Sequence, residues 1–535
     1  MAPENPVYLK KNVIAEPIIM GWYAWPQLIP PASLAMNVVG RHLKIMDSYI
    51  QSPQLHAEAV KNPKMKGGPF VDYPEDRAEG VQRLRDRTLR EQGRLIELAG
   101  AIRQLYDLLK QEANGYCLDP LYAKVREPLK GLVELSYDLL NQPSYRFYEP
   151  LLYRSDYYDP ASQGLSIYES GGDERPFALS TPRIPDDRSV HVRVPFHSEV
   201  IDKLARMRRV AGSYSAIREE LGIEAGQEPL FRSFFTGQPP AASNRYDGDG
   251  IRIRYYGHAC LVLETRDVCV MSDPFVSHGQ EGVIPRYTYA DLPDVIDYAV
   301  ITHHHQDHVL IETLLELRHS IRHVVVPRNG GGQLQDPSLK LILQALGFPS
   351  VIELEELESI DLPGGRLTGV PFLSEHADLQ VRGKLCHHLA FDGLSVLFAA
   401  DSCAIDPWVY RRVHDAVGYV DVLFLGMECN GAPLTWLYGP LLPEPIARDK
   451  DRSRRLAGCN FDRASQVVEC FRPRQVYVYA MGLEPWINHI MGMNQTEQSK
   501  PITESNRLVS ACQARGIIAE RLYGKNEIFS IRIEQ

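Results

Sequence analysis

Residues 301–310 read ITHHHQDHVL, with four histidines and an aspartate inside six positions. The preceding run VIDYAVIT, residues 295–302, is apolar enough to be a buried strand, and a helical pattern resumes near Ile311. The histidines therefore occupy a loop at the carboxyl end of a strand, where α/β proteins gather their ligand sites. If the chain stays extended there, His303 and His305 share one side and can converge on one cation. Asp307 and His308, at the turn, can then reach a second cation nearby, while His304 and Gln306 point elsewhere.

The surroundings fit that placement. After residue 250 come the alternating segments IRIRYYGHACLVLE and DVCVMSDP, then HVVVP, HHLAFDGLSVLFAAD, DVLFLGME, RQVYVYA and NEIFSIRI, interleaved with helical windows such as SLKLILQALGF and ASQVVECF. Hairpins followed by alternating strands and helices predict a sheet-rich α/β layer architecture. Upstream the pattern is mixed α+β. From Pro74 to Ala113, Leu84, Leu95, Leu98, Ile102, Leu105 and Leu109 keep helical spacing, and a second helix is predicted from Pro128 through Leu140. His191 to His197 alternates like a strand, and Ser198 is placed to cap a helix through Ile201 and Leu204. The stretch GQPPAASNRYDGDG, residues 237–250, concentrates turn formers. It divides the chain into an N-terminal region, 1–245, and a catalytic region, 246–535; 535 residues exceed what one core organises.

A net charge of -10 argues against nucleic-acid binding, which needs clustered cations. The only apolar run near the start, Pro17 to Trp25, is too short for a membrane span or secretory signal, and a cytoplasmic location is expected. Nine scattered cysteines without CxxC spacing read as buried small residues in a reducing compartment.

THxHxDH after a buried strand, preceded by GHACLVLE and SDPF, resembles the metallo-β-lactamase superfamily over residues 250–535, which implies a four-layer αββα sandwich. In that superfamily a distant histidine completes the first metal, a strand-end aspartate bridges both, and a final histidine completes the second. The resemblance implies Asp401, in LSVLFAADS, as the bridge and His489, on the loop MGLEPWINH, as the closing histidine. Where metallohydrolases offer a histidine to the first metal, this chain reads PFLSEHADL, with Glu375 directly before His376. Neighbours in an extended segment point to opposite sides, so one of the two ligates, and the sequence leaves open which. With Glu375, the first metal has two histidines and one carboxylate, the donor set of non-haem iron sites that keep positions open for oxygen. The full candidate set is His303, His305, Asp307, His308, Glu375, Asp401 and His489; its three carboxylates favour a hard cation.

That donor set, behind a large N-terminal region, resembles the CmlA family of diiron β-hydroxylases of nonribosomal peptide assembly lines. The resemblance implies two iron ions, dioxygen as cosubstrate, and hydroxylation at the β-carbon of an amino acid held as a thioester on a carrier domain. It further implies an external electron donor, a homodimer, and a second-sphere glutamate acting in catalysis, for which Glu428 in FLGMECN is the match. The alternative is a dizinc hydrolase of an ester, thioester, lactone or phosphodiester, with His376 as ligand. Carrier domains are acidic, and ARDKDRSRR, residues 447–455, is the candidate basic docking run. TWLYGPLLPEP, from Thr435, is a candidate cover for the cluster, with Trp436 and Tyr438 as pocket wall.

Overall fold

Two seven-stranded sheets lie face to face in the carboxy-terminal half of the computed structural model. It describes residues 6–530 apart from 63–64, 74–75, 242–244, 280–281, 283, 392 and 494. Pro74, the middle of the 237–250 stretch and the end of NEIFSIRI thus lie outside the described residues. The first sheet runs in the order Val351–Leu354, Ile321–Pro327, Ile296–Val300, Cys269–Ser272, Cys260–Glu264, Ile251–Gly257, Asn526–Ser530. The second is ordered Ser359–Leu362, Gly365–Pro371, Leu385–Phe391, Leu394–Phe398, Val422–Gly426, Gln475–Tyr479, Ile518–Arg521. Each begins with antiparallel hairpins and continues with parallel strands, as the sequence pattern predicts.

Period-two side-chain alternation explains why two sheets stack. In the strand Cys260–Glu264, Leu261 and Leu263 face the second sheet, where they share a core with Leu367, Leu389, Val396 and Phe424, while Val262 faces the other way. The outer face of the second sheet is covered by the helices Pro407–Val417, Phe461–Phe471 and Lys500–Ala514. The outer face of the first is covered by Ile311–Leu317 and Leu339–Ala345, and the apolar cluster there runs without interruption into the N-terminal region. The two regions are distinct in chain yet share a core.

The N-terminal region holds a four-stranded antiparallel sheet, ordered Trp22–Tyr23, Val13–Ile19, Gln163–Glu169, Ser189–Arg193. The helices Ala78–Glu91 and Gly93–Glu112 bury the leucine stripe read from the sequence. Ser198 caps Glu199–Arg206 by accepting from the Val200 N–H. The helix expected from Pro128 to Leu140 does not form: Glu127–Leu129 is a single tight turn, and Val133–Tyr137 pairs with Pro143–Phe147 as a hairpin. Val133 and Leu135 are buried and alternate with more exposed neighbours, so period two overrides the helical spacing; Leu139 and Leu140 are left exposed at the hairpin tip. None of the described helices is long and apolar enough to cross a membrane.

A buried ion cluster fastens the N-terminal region to the helix that follows the histidine loop. Glu16 has no solvent exposure; Arg175 Nη2 lies 2.5 Å from its Oε1, Arg183 Nε lies 2.5 Å from its Oε2, and the Tyr168 hydroxyl donates at 3.0 Å. Arg175 also grips Glu312, in the first turn of Ile311–Leu317. Burial pushes the Glu16 carboxyl up, but Arg183 and Arg175 outweigh it and hold the group well below the usual carboxylate range. Its stabilising contribution is therefore present above the ordinary glutamate pKa of 4.5 and is lost as pH falls toward the lowered folded value. Replacing Glu16 by alanine leaves the buried Arg183 without its counter-charge and Arg175 with Glu312 alone, so Glu16→Ala is expected to cost about 3–5 kcal/mol in denaturant unfolding at pH 7. The same variant should lose less stability than the wild type on acidification.

Candidate metal centre

The strand Ile296–Val300 ends at Thr302, and the chain then turns through His303–Leu310 before Ile311–Leu317 begins. All four histidines of this loop are buried. Their neighbours determine which ring nitrogen can face inward. Asp273, at the end of Cys269–Ser272, accepts from the Thr302 N–H at 2.8 Å, the Thr302 hydroxyl at 2.8 Å and His308 Nδ1 at 2.8 Å. His308 therefore carries its proton on Nδ1 and offers Nε2. With the Thr302 hydrogen committed to Asp273, its oxygen accepts from His303 Nδ1 at 3.0 Å, so His303 also offers Nε2. His305 turns Nε2 to the Tyr438 hydroxyl at 2.9 Å, and a proton held there leaves Nδ1 for the centre.

The inward nitrogens meet carboxylates. His303 Nε2 and His305 Nδ1 are 3.2 Å apart, and Glu375 Oε2 lies 3.6 Å from the first and 2.8 Å from the second. Asp401 Oδ2 lies 2.9 Å from His308 Nε2 and 3.9 Å from His303 Nε2, between the two groups. Asp307 Oδ2 is 3.7 Å from His308 Nε2. Glu375 Oε2 and Asp401 Oδ1 are buried without hydrogen-bond partners. Burial, followed by Asp401 and Asp307, drives the Glu375 carboxyl far up, whereas Asp401, Asp307 and Asp273 drive His308 up despite its burial. More acceptors converge than there are protons to serve them, which is the condition a cation relieves. The residues fit two hard cations: His303, His305 and Glu375 around one, Asp307 and His308 around the other, Asp401 common to both.

Glu375 and His376 do not point to opposite sides as expected. The backbone is left-handed at Ser374, Glu375, Ala377 and Asp378, with φ of 80°, 77°, 51° and 57°, so the segment is coiled rather than extended and brings both side chains to His303 and His305. Lys384 Nζ donates to the Ser374 carbonyl at 3.2 Å and Arg454 Nε to the Ala377 carbonyl at 2.9 Å, which holds the coil. His376 keeps Nδ1 on the Ser374 carbonyl at 3.3 Å and leaves Nε2 without a partner.

His489 is not brought to this centre. The residues directly after Gln475–Tyr479 are already committed: the Ala480 and Gly482 amides donate to the His258 carbonyl and to His258 Nδ1. His489 lies further on, in the helix Asn488–Met491, with its carbonyl accepting from Ala178 and its ring edge-on to Tyr23 at 5.9 Å. In its place the GHACL hairpin turn brings His258, whose Nε2 is 3.2 Å from Asp307 Oδ2. The histidine spacing alone does not single out His258 and Asp273; their positions in GHACL and SDPF, at a turn and a strand end beside the histidine strand, are the signal that finds them.

Glu428 follows the strand Val422–Gly426 and lines, with His305, Asp307 and Glu375, the floor of a cavity of about 460 Å³. Burial and the nearby carboxylates raise it strongly. Gly426 has to be glycine, since a Cβ there would lie 2.7 Å from Asp401 Oδ1. Lys66 and Phe70 of the N-terminal region form one wall of the cavity, and Trp436 and Arg455 another. Trp436 Nε1 donates to the Gly67 carbonyl at 2.8 Å, closing the wall. Of TWLYGPLLPEP, Trp436 lines the cavity as expected, whereas Tyr438 is not part of the wall: it is buried, with its hydroxyl on His305 Nε2 at 2.9 Å.

Residues 8–239 match the family model described as a diiron non-heme beta-hydroxylase N-terminal domain, and residues 252–428 match a beta-lactamase superfamily domain. The chain is 39% identical over 526 residues to the 4-amino-L-phenylalanyl-[CmlP-peptidyl-carrier-protein] 3-hydroxylase of Streptomyces venezuelae, covering 96% of this chain and 98% of that one. The crystal structure of CmlA, a diiron beta-hydroxylase from Streptomyces venezuelae, superposes with a TM-score of 0.92 at 38% identity, covering 98% of this chain and all of that one. This chain, a metallo-β-lactamase sandwich behind its own N-terminal domain, belongs to the CmlA family of diiron β-hydroxylases.

Proposed function

We propose that this protein hydroxylates the β-carbon of an amino acid presented as a thioester on the phosphopantetheine arm of a nonribosomal peptide synthetase carrier domain. The supporting observation is that three of the candidate ligands, His305, Asp307 and Glu375, themselves line the cavity, so a molecule held there meets the carboxylate-rich centre directly. A relative 39% identical over nearly the whole chain acts on a carrier-bound aminoacyl group. The iron ions would be held by His303, His305 and Glu375, by Asp307 and His308, and by Asp401 between them. When bound, they supply dioxygen activation and hydrogen removal from carbon, chemistry that no side chain here can perform. The protein orients and excludes water: Trp436 and Phe70 flank the space over the floor, and the buried second layer of Asp273, Thr302 and Tyr438 fixes the ligand rings. Glu428, a carboxyl at the cavity lining whose pKa burial and the neighbouring carboxylates push up, is the chain's candidate for moving a proton beside the ligands.

Residues 1–245 serve substrate access, since Lys66 and Phe70 wall the cavity, and dimerisation in the same reading; an external donor supplies electrons, and the enzyme works in the cytoplasm. The basic run divides its duties. Arg454 holds the Glu375 coil and Arg455 donates to the Gly431 carbonyl at 2.7 Å, leaving Arg448, Lys450 and Arg452 exposed on the helix Arg448–Ser453 for an acidic carrier.

Iron analysis tests the ligand assignment. The wild type should take up two irons per chain, Glu375→His should lower iron occupancy or oxygen reactivity, and His376→Ala should retain both; unchanged hydroxylation in Glu375→His, with iron lost in His376→Ala, would reverse the choice. Docking is tested by charge reversal: Arg448→Glu, Lys450→Glu and Arg452→Glu together should raise KM for the carrier-bound substrate roughly tenfold or more at low salt while kcat and iron content hold. Equal KM values would remove this face from consideration.

A further inference from the structure

His258 lies close enough to the second group of candidate ligands to be counted among them: its ring, Asp307 and His308 present donor atoms within 4.8 Å of one another. The proton count on the ring argues otherwise. The Gly482 N–H points at His258 Nδ1 at 3.1 Å, and a backbone amide can only donate, so Nδ1 carries the lone pair. In a neutral imidazole the hydrogen is then on Nε2, the atom 3.2 Å from Asp307 Oδ2 though off the line of a hydrogen bond as the two side chains stand. A ring nitrogen that bears hydrogen cannot bind a metal ion, whereas it can donate to a carboxylate that does. His308 is arranged the opposite way, with Nδ1 on a carboxylate and Nε2 free to ligate.

The ring has little freedom to change this. His258 sits at φ 48° in the turn between Ile251–Gly257 and Cys260–Glu264. Its N–H donates to Glu484 Oε2 at 3.2 Å, and its carbonyl accepts from Ala480 at 2.9 Å. Glu484 is itself held by the Tyr255 hydroxyl at 2.6 Å. Gly257 before it has φ 120°, and a Cβ there would meet the Trp486 ring at 3.0 Å. The loop after Gln475–Tyr479, which the sequence nominates for a ligand, supplies instead the amide that fixes the tautomer of His258.

We propose that His258 is a positioning residue for the second ion: held as its Nε2–H tautomer by the Gly482 amide, it donates to Asp307 and aims that carboxylate, without binding the ion. The inference rests on the two-ion reading above. Anaerobic titration of metal-free protein with Fe²⁺ tests it. In His258→Ala the second equivalent should bind about 10–100-fold more weakly and the first normally. His258→Gln should restore the second equivalent to within about threefold of wild type, because its amide oxygen can accept from Gly482 and its NH₂ can donate to Asp307. Loss of the second ion in the glutamine variant as severe as in the alanine variant would make the ring a ligand and overturn the proposal, as would normal binding of both ions by the alanine variant. Wild-type stoichiometry checks the two-ion reading separately; one ion per chain there defeats both. Should His258→Ala fold poorly, a crystal structure of the iron-loaded wild type decides: Nε2 about 2.1 Å from iron refutes the assignment, and Nε2 on Asp307 supports it.

Discussion

The centre of this molecule is organised by a shortage of protons. Four imidazoles, His376 among them, and three carboxylates converge inside a buried space, and the outer nitrogens of His308, His303 and His305 are spent on Asp273, Thr302 and Tyr438. What remains facing inward are lone pairs and negative charge. In water such an arrangement would relax by rotating side chains outward; here the packing around the centre prevents it, and bound protons or cations have to supply the missing positive charge. The fold can thus be described as a frame that keeps an electrostatically unfavourable set of groups together.

Several parts of the frame work against local preference. Four of the five residues from Ser374 to Asp378 sit in left-handed backbone without a glycine among them, and the coil is held by two cationic side chains on its carbonyls. Ala400, next to Asp401, is also left-handed at φ 45°. Strain of this kind collects where a side chain must be delivered to one point, and both cases deliver a carboxylate.

Much of the architecture could be read from the chain before its structure. The VIDYAVIT strand, the loop after it, the stacked sheets and the long N-terminal helices follow from period-two and helical spacing over runs long enough to be unambiguous. The error at Pro128–Leu140 arose where the apolar residues suit both periods, and pairing with Pro143–Phe147, invisible locally, decides between them. In the site, His303, His305, Asp307 and His308 were legible because they are adjacent. Asp401, Glu375 and Glu428 came from strand-end position and resemblance, and each is found beside the histidines. His489 failed because nearness along the chain to a strand end says nothing about what those first loop amides already hold. The coiled backbone at Glu375 could not be foreseen either, since no glycine advertises it.

The cavity walls come from stretches far apart in the chain: Lys66 and Phe70 from the N-terminal region, Trp436 and Arg455 from the segment that covers the centre. None of these four is among the candidate ligands or their immediate hydrogen-bond partners. The residues that shape these walls and those that would hold the ions are consequently different positions, so a substitution in the walls need not disturb the inner shell.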